Sequence, residues 1–202
     1  MIAACLPYAR EHGLFITPMA AVAGSVADEI IAAFRRLGIL RAYVNNGGDI
    51  ALHLAPGQQY DVGVVTDLAL PAIDGRFGID ASSAVRGIAT SGWRGRSFSL
   101  GIADSVTVLA ATGALADAAA TMIANHVNAD SSAVTRRPAN ELKDDTDLGD
   151  RLVTVAVGAL SQAEIGAALD GGADFAERVR RQGLIAGAAI SLAGQARVVR
   201  SR

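Results

Sequence analysis

The chain is poor in lysine and cysteine: among its 202 residues stand a single lysine, Lys143, and a single cysteine, Cys5. A Walker-type phosphate loop and a Schiff-base enzyme both need a lysine inside the chemistry. Lys143 lies instead in the polar run Asn140-Glu-Leu-Lys-Asp-Asp-Thr-Asp147, so both classes are set aside. One cysteine excludes an internal disulfide and any cysteine-rich zinc site. Neither charge is in marked excess, since 18 basic residues against 20 acidic ones leave a formal net charge of −2. The paired arginines (Arg35-Arg36, Arg136-Arg137, Arg180-Arg181) are too dispersed to form a basic stripe, which argues against a nucleic-acid partner.

What is present is a 51% hydrophobic chain rich in alanine, enough to bury one substantial core, and the expectation is a single domain over residues 1–202. Ile2-Ala-Ala-Cys5 has the look of a lipidation site, but no charged and apolar leader stands before it. Ser105 to Ala124 carries only one charge, Asp117, over nearly a membrane-spanning length. It divides at Thr112-Gly113 into a β-branched run and an alanine-rich helical pattern, so it reads as a buried strand followed by a buried helix. The expected location is the cytoplasm, with no membrane partner.

Residues 1–13 read as a helix. Thr17-Pro18 opens a second, running to Gly38, with Val22, Val26, Ile30, Ile31 and Phe34 as its apolar stripe. A hairpin follows, Ala42-Tyr-Val44 and Ile50–Leu54 around the turn Asn45-Asn-Gly-Gly48. Tyr60–Val65 is a strand, residues 68–86 are ambiguous, and Gly87–Ser91, Ser97–Leu100 and Ser105–Leu109 are strands. Asn128–Asp150 reads as the longest loop. Arg151–Val157 is a strand, 161–182 a helix, and 184–200 a final hairpin. Phe34-Arg-Arg-Leu-Gly-Ile-Leu40 echoes Val179-Arg-Arg-Gln-Gly-Leu-Ile185, each between a helix and a hairpin, which suggests an internal duplication. The fold class is α+β, a sandwich of antiparallel hairpins and helices.

Three constellations carry chemistry. In Asn45-Asn-Gly-Gly-Asp-Ile50 adjacent glycines expose backbone N–H groups beside oriented polar side chains; a plain hairpin turn is the alternative. In Ala116-Asp-Ala-Ala-Ala-Thr121 the spacing puts Asp117 and Thr121 on one helix face, a pair suited to magnesium; the alternative is a carboxylate answering a helix dipole. Gly87-Ile-Ala-Thr-Ser-Gly-Trp-Arg-Gly-Arg96 runs from a strand into a loop able to meet a phosphate or a ring, or into an exposed turn. His12, His53 and His126 are scattered and read as surface or satisfied core.

In this order these segments, with Gly24-Ser-Val-Ala-Asp28, Val62-Gly-Val64 and Ser105-Val-Thr-Val108, resemble the ApbE superfamily of magnesium-dependent FAD:protein FMN transferases over residues 18–127. The Ser-Leu-x-x-Ala-Asp pattern at Ser99–Asp104 is most like its shorter, uncharacterised branch. The resemblance implies a pocket for FAD or a related flavin nucleotide formed by Asn45, Gly47, Gly48, Asp49, Thr90, Ser91 and Gly92. It implies Mg2+ on Asp117 and Thr121, and FMN transfer to a threonine of an acceptor protein with AMP leaving. The sequence departs from that pattern in three places. Ala23 stands at the family's lysine, no histidine stretch follows the Thr-Ser-Gly loop, and the upstream Met-Gly-Thr segment has no counterpart, which a start beyond Met1 would explain. No catalytic residue is assigned. The alternative is a non-catalytic nucleotide- or partner-binding protein of the same fold, and self-association is left open.

Overall fold

Antiparallel strands and helices in nearly equal measure build the molecule, a computed structural model that describes residues 1–64 and 75–200. Ten strands are formed: β1 Arg41–Asn46, β2 Asp49–Leu54, β3 Gln59–Val64, β4 Gly75–Asp80, β5 Gly87–Ser91, β6 Ser105–Ala110, β7 Val134–Pro138, β8 Leu152–Val157, β9 Gly187–Leu192 and β10 Gln195–Arg200. The helices are α1 Ile2–Glu11, α2 Val22–Ala32, α3 Gly113–His126 and α4 Gln162–Arg181. A 3-10 turn at Pro18–Ala21 leads into α2. The fold is α+β.

Six strands form one sheet in the order β1-β2-β5-β6-β9-β10, and every neighbouring pair is antiparallel. The two terminal hairpins, β1-β2 and β9-β10, occupy its two ends. Helix α2 packs on the first, α4 on the second, and α3 lies between them over β5 and β6. The helix-then-hairpin order seen twice in the sequence therefore becomes two ends of one sheet. Because side chains alternate across a strand, Val106, Val108 and Ala110 of β6 join the core under the helices, with Ile123, Leu169 and Phe175. Leu109 packs on the other face, where the β3-β4 hairpin covers Leu52, Leu54 and Ile88 with Ile79 and Phe77.

Four expectations are corrected. Ser97–Leu100 is not a strand: the Leu100 N–H donates to the Asn125 side chain of α3 at 2.9 Å, and the Gly101 N–H to the Ser99 hydroxyl. The Ser99 carbonyl accepts from the Thr154 N–H of β8, and the Leu100 carbonyl from the Asn128 side chain, so the segment's bonds are scattered and form no ladder. Asn128–Asp150 is not one loop, because β7 forms inside it and pairs with β8. The second helix ends at Ala32, before Gly38. Its expected stripe is split: Val26, Ile30 and Phe34 are exposed at 43%, 48% and 39%, whereas Ile31 is buried as expected; the other buried positions are Gly24 and Ala27. Residue 65 of the expected third strand, and part of the ambiguous stretch 68–86, lie outside the described residues. No helix among the described residues is long and apolar enough to cross a membrane.

Candidate functional site

Where α2 meets α3 the backbones approach closely. A Cβ at Gly24 would lie 2.2 Å from the Gly113 carbonyl oxygen, so only glycine permits the crossing. Each helix then satisfies the other's start. Asp28 of α2 accepts hydrogen bonds from the Gly113 and Ala114 N–H groups, both at 2.8 Å. The Leu115 N–H donates to the Thr112 hydroxyl and the Ala116 N–H to the Thr112 carbonyl. The first three N–H groups of α3, which a helix start leaves without helical partners, are thereby paired, and the Ala116 bond is the first of the helical ladder. In return, Asp117 of α3 accepts from the Gly24 N–H at 2.9 Å, and from Ala23 as well.

Asp117 faces a second carboxylate. Asp49 begins β2 and shares its side of the sheet with Ala51, which packs against Ala27 and Ile31 of α2. Burial is the first cause that pushes Asp117 up from 3.8 to about 7, and the Asp49 charge adds to it, while the Gly24 and Ala23 N–H groups oppose it. Asp49 is itself pushed up to about 6 by burial, against the lowering effect of the Thr90 N–H and the Arg96 guanidinium. Two desolvated carboxylates in each other's field are what a hard divalent cation relieves. Among the described residues no basic side chain bonds to Asp117.

The hairpin tip supplies the rest of the site. Gly47 and Gly48 have φ of 71° and 116°, the left-handed values of a tight hairpin turn. Asn45 locks that turn by accepting from the Gly48 N–H at 2.8 Å. The neighbouring Asn46 reaches further, donating from Nδ2 to the Ala23 carbonyl at 3.2 Å. Arg96 donates to the Gly47 carbonyl at 3.0 Å, its guanidinium filling the place a Gly47 side chain would take.

The sequence-predicted residues are therefore partly gathered. Gly47, Gly48, Asp49 and Asp117 converge, and Asn45 holds the turn. Thr90 contributes its backbone N–H to Asp49, but its hydroxyl bonds Thr107 at 2.9 Å. Thr107 shares its side of β6 with Leu109, the face away from the helices, so that hydroxyl does not meet Asp117. Ser91 is half-buried next in the strand. Gly92 is buried against the backbone of Ala103 and Asp104. Thr121 lies one turn beyond Asp117 on α3 and is half-buried.

The site draws on residues the sequence did not assign: Asp28, Gly24, Asn46 and Arg96. Asp28 and Gly24 stand in a quoted segment, and Arg96 was noted only for its loop. Their partners lie far along the chain, which local spacing does not reveal. The histidines are occupied elsewhere: His53 against the Ile39 carbonyl, His12 against Gln182, and His126 bonded to the Met122 carbonyl and stacked on Phe175 at 3.7 Å. Among the described residues no cluster of three His, Cys, Asp or Glu forms a ready metal cage. A cation here would complete its shell with hydroxyl, backbone, water or ligand oxygens. Two concavities, a groove of about 680 Å³ between α4 and β10 and a dimple of about 320 Å³ at Asn128–Asp130 and Arg136, are lined by none of the site residues.

A family model described as AbpE bacteria matches residues 1–198. Among curated proteins, the UPF0280 protein of Methanosphaerula palustris is 35% identical over 135 residues, covering 60% of this chain and 56% of the relative. That of Methanopyrus kandleri is 37% identical over 130 residues, covering 64% and 51%. That of Methanothermobacter thermautotrophicus is 36% identical over 145 residues, covering 71% and 55%. The chain spans about half the length of the curated relatives it matches.

Proposed function

Because the chain belongs to the ApbE family, we propose that it binds FAD or a related flavin nucleotide together with Mg2+ at the junction of α2, α3 and the first hairpin tip. The observation that carries this reading is the meeting of Asp49 and Asp117: burial raises the proton affinity of both, and the Asp49 charge raises that of Asp117 further. The donor set fits a hard cation: carboxylate oxygens from two elements, with the Thr121 hydroxyl one helical turn away. Asp117 and Thr121 are the proposed ligands, and Asp49 stands beside them. Bound there, Mg2+ would neutralise charge on a nucleotide's phosphates.

The chain's own residues serve this reading by position. Gly47 and Gly48 keep the hairpin tip free of side chains, so a ligand can approach the backbone. The start of α2 adds a positive dipole end, already partly taken up by Asp117. Asn45, Thr90, Ser91 and Gly92 complete the proposed border of the pocket. A cytoplasmic location is part of the proposal.

FMN transfer to a threonine of an acceptor protein is the reaction proposed for this site. Binding without transfer is the second reading, and two observations favour it. Ala23 occupies the position beside Asp117 where the resemblance expects a lysine, and all three histidines are bonded away from the site. The test incubates the purified chain with FAD and Mg2+, with and without an acceptor protein, and follows AMP release and flavin attachment. FAD binding without AMP leaves only the second reading. If neither FAD nor Mg2+ raises the melting temperature, the site assignment fails.

A further inference from the structure

Among the described residues Arg96 is the cation whose charge acts on Asp49, and its loop is built to hold it there. Asp104 ties down the base of that loop: its carboxylate accepts from Trp93 Nε1 at 3.2 Å and Arg94 Nε at 2.9 Å. The same carboxylate accepts from the Ala193 N–H in the β9-β10 turn at 2.7 Å. Gly92 is wedged against the backbone of Ala103 and Asp104, and Gly95 bonds back to Gly92. Trp93 lies under the Arg94 guanidinium, 5.0 Å from ring centroid to Cζ. The two arginines of the loop thus have different tasks. Arg94 is spent on Asp104 and Trp93, whereas Arg96 projects across the hairpin tip to a single neutral acceptor, the Gly47 carbonyl.

The Asp49 charge favours that placement, but among the described residues no ion pair joins the two, and the fork's one bond leaves it able to take an anion. An exposed arginine side chain gives up rotamer freedom when it is held, and one bond to a neutral carbonyl in water returns little. A guanidinium carries five donors in a planar fork that matches phosphate oxygens, and a charge-assisted bond to phosphate is stronger than one to a carbonyl. The position is at the exposed rim of the site, while Asp49 and Asp117 lie inward. An incoming phosphate would meet Arg96 before it met the carboxylates that repel it.

We propose that Arg96 is the anion-binding residue of this site, exchanging the Gly47 carbonyl for the phosphate oxygens of a diphosphate-bearing ligand. The inference rests on the site reading above but not on the flavin. Gly47 is then glycine for a second reason: any side chain there would displace the guanidinium.

The test compares wild type, Arg96→Gln and Arg96→Lys by calorimetric titration with FAD, riboflavin and inorganic pyrophosphate, each with Mg2+. Arg96→Gln is expected to weaken FAD and pyrophosphate about tenfold or more, the effect of one lost charge-assisted bond. Riboflavin, which has no phosphate, should be unaffected, and Arg96→Lys should fall between. Melting temperatures without ligand should coincide, since Arg96 is exposed. Unchanged FAD and pyrophosphate affinity in Arg96→Gln overturns the proposal, as does an equal loss for riboflavin. Wild-type binding of pyrophosphate but not FAD, lost in Arg96→Gln, would keep Arg96 in this role and remove the flavin. If wild type binds neither, both readings fall.

Discussion

Asp28 and Asp117 cap each other's helices: the Asp28 carboxylate takes the first two N–H groups of α3 at 2.8 Å, and the Asp117 carboxylate takes the Gly24 N–H of α2 at 2.9 Å. The exchange crosses at the Gly24–Gly113 contact, so one small region of backbone sets the angle of both helices. Any ligand role for Asp117 is superimposed on this structural one. Loss of function on replacing Asp117 therefore says little until the fold of the variant has been checked.

Asp28 holds the helix crossing behind the site but is neither a proposed ligand nor a pocket-border residue, so its replacement isolates the structural half. Asp28→Ala removes two charge-assisted bonds to buried helix N–H groups and should destabilise by about 2–3 kcal/mol. Urea unfolding followed by circular dichroism reads this directly. In a double-mutant cycle with Asp117→Ala the two losses should be non-additive by more than about 0.5 kcal/mol, because both carboxylates fix the same crossing. Strict additivity would mean that the caps act independently.

Gly24→Ala should be strongly damaging for a single methyl. The added Cβ would sit 2.2 Å from the Gly113 oxygen and 2.8 Å from the Ala114 nitrogen, and these are backbone atoms that no rotamer change can move. Overpacking of this kind costs about 1–3 kcal/mol, and more where backbone must shift. The expected result is a loss of at least about 3 kcal/mol in the same assay. Ala27→Gly, one turn on, should cost only about 1 kcal/mol of helix propensity plus a lost methyl contact.

How far the sequence foretold this depends on whether the physics is local. The two terminal hairpins and α4 were legible because turn glycines, strand alternation and the Ser161/Glu164 capping box act over a few residues. Strand β7 was hidden by Arg136 and Arg137, and by a register shift between Thr135 and Arg136 that breaks the alternation. The buried face of α2 is only partly legible, because Gly24 and Ala27 carry the packing with Ile31, while Val26 and Ile30 lie outside. In the candidate site, the Gly-Gly-Asp turn and the Asp117 helix stood out as motifs. That Asp49 faces Asp117 while the Thr90 hydroxyl turns to Thr107 depends on which side of the sheet each strand residue occupies. That parity is fixed by long-range register, not by spacing.

The second hairpin tip offers a stabilising change. Ala193 is the non-glycine residue with positive φ among those described, at 49°, a conformation disfavoured for a side chain by about 1 kcal/mol. Ala193→Gly relieves that strain but loosens the unfolded chain, so the net gain should be a few tenths of a kcal/mol to about 1 kcal/mol. Its backbone N–H still reaches Asp104. A raised melting temperature with unchanged ligand titrations is expected; a lowered one would show that the turn depends on the methyl group.

The carboxylate pair makes stability depend on pH in a direction opposite to an ordinary surface aspartate. Burial raises Asp49 to about 6, and burial together with the Asp49 charge raises Asp117 to about 7 in the folded chain, from 3.8. The folded state thus holds protons that the unfolded state has released. Stability from this source is complete below about pH 4 and is lost as pH rises through 6 and 7. In the absence of divalent cations the melting temperature should therefore decline between about pH 5 and pH 7.5 relative to Asp117→Asn, which cannot ionise at that position yet still offers an oxygen to the Gly24 N–H. Mg2+ binds the ionised pair and stabilises the fold by mass action, so it should restore the wild type increasingly as pH rises and leave Asp117→Asn little changed. A wild-type decline that Mg2+ does not oppose would remove the metal from this site and leave Asp117 as a helix cap alone.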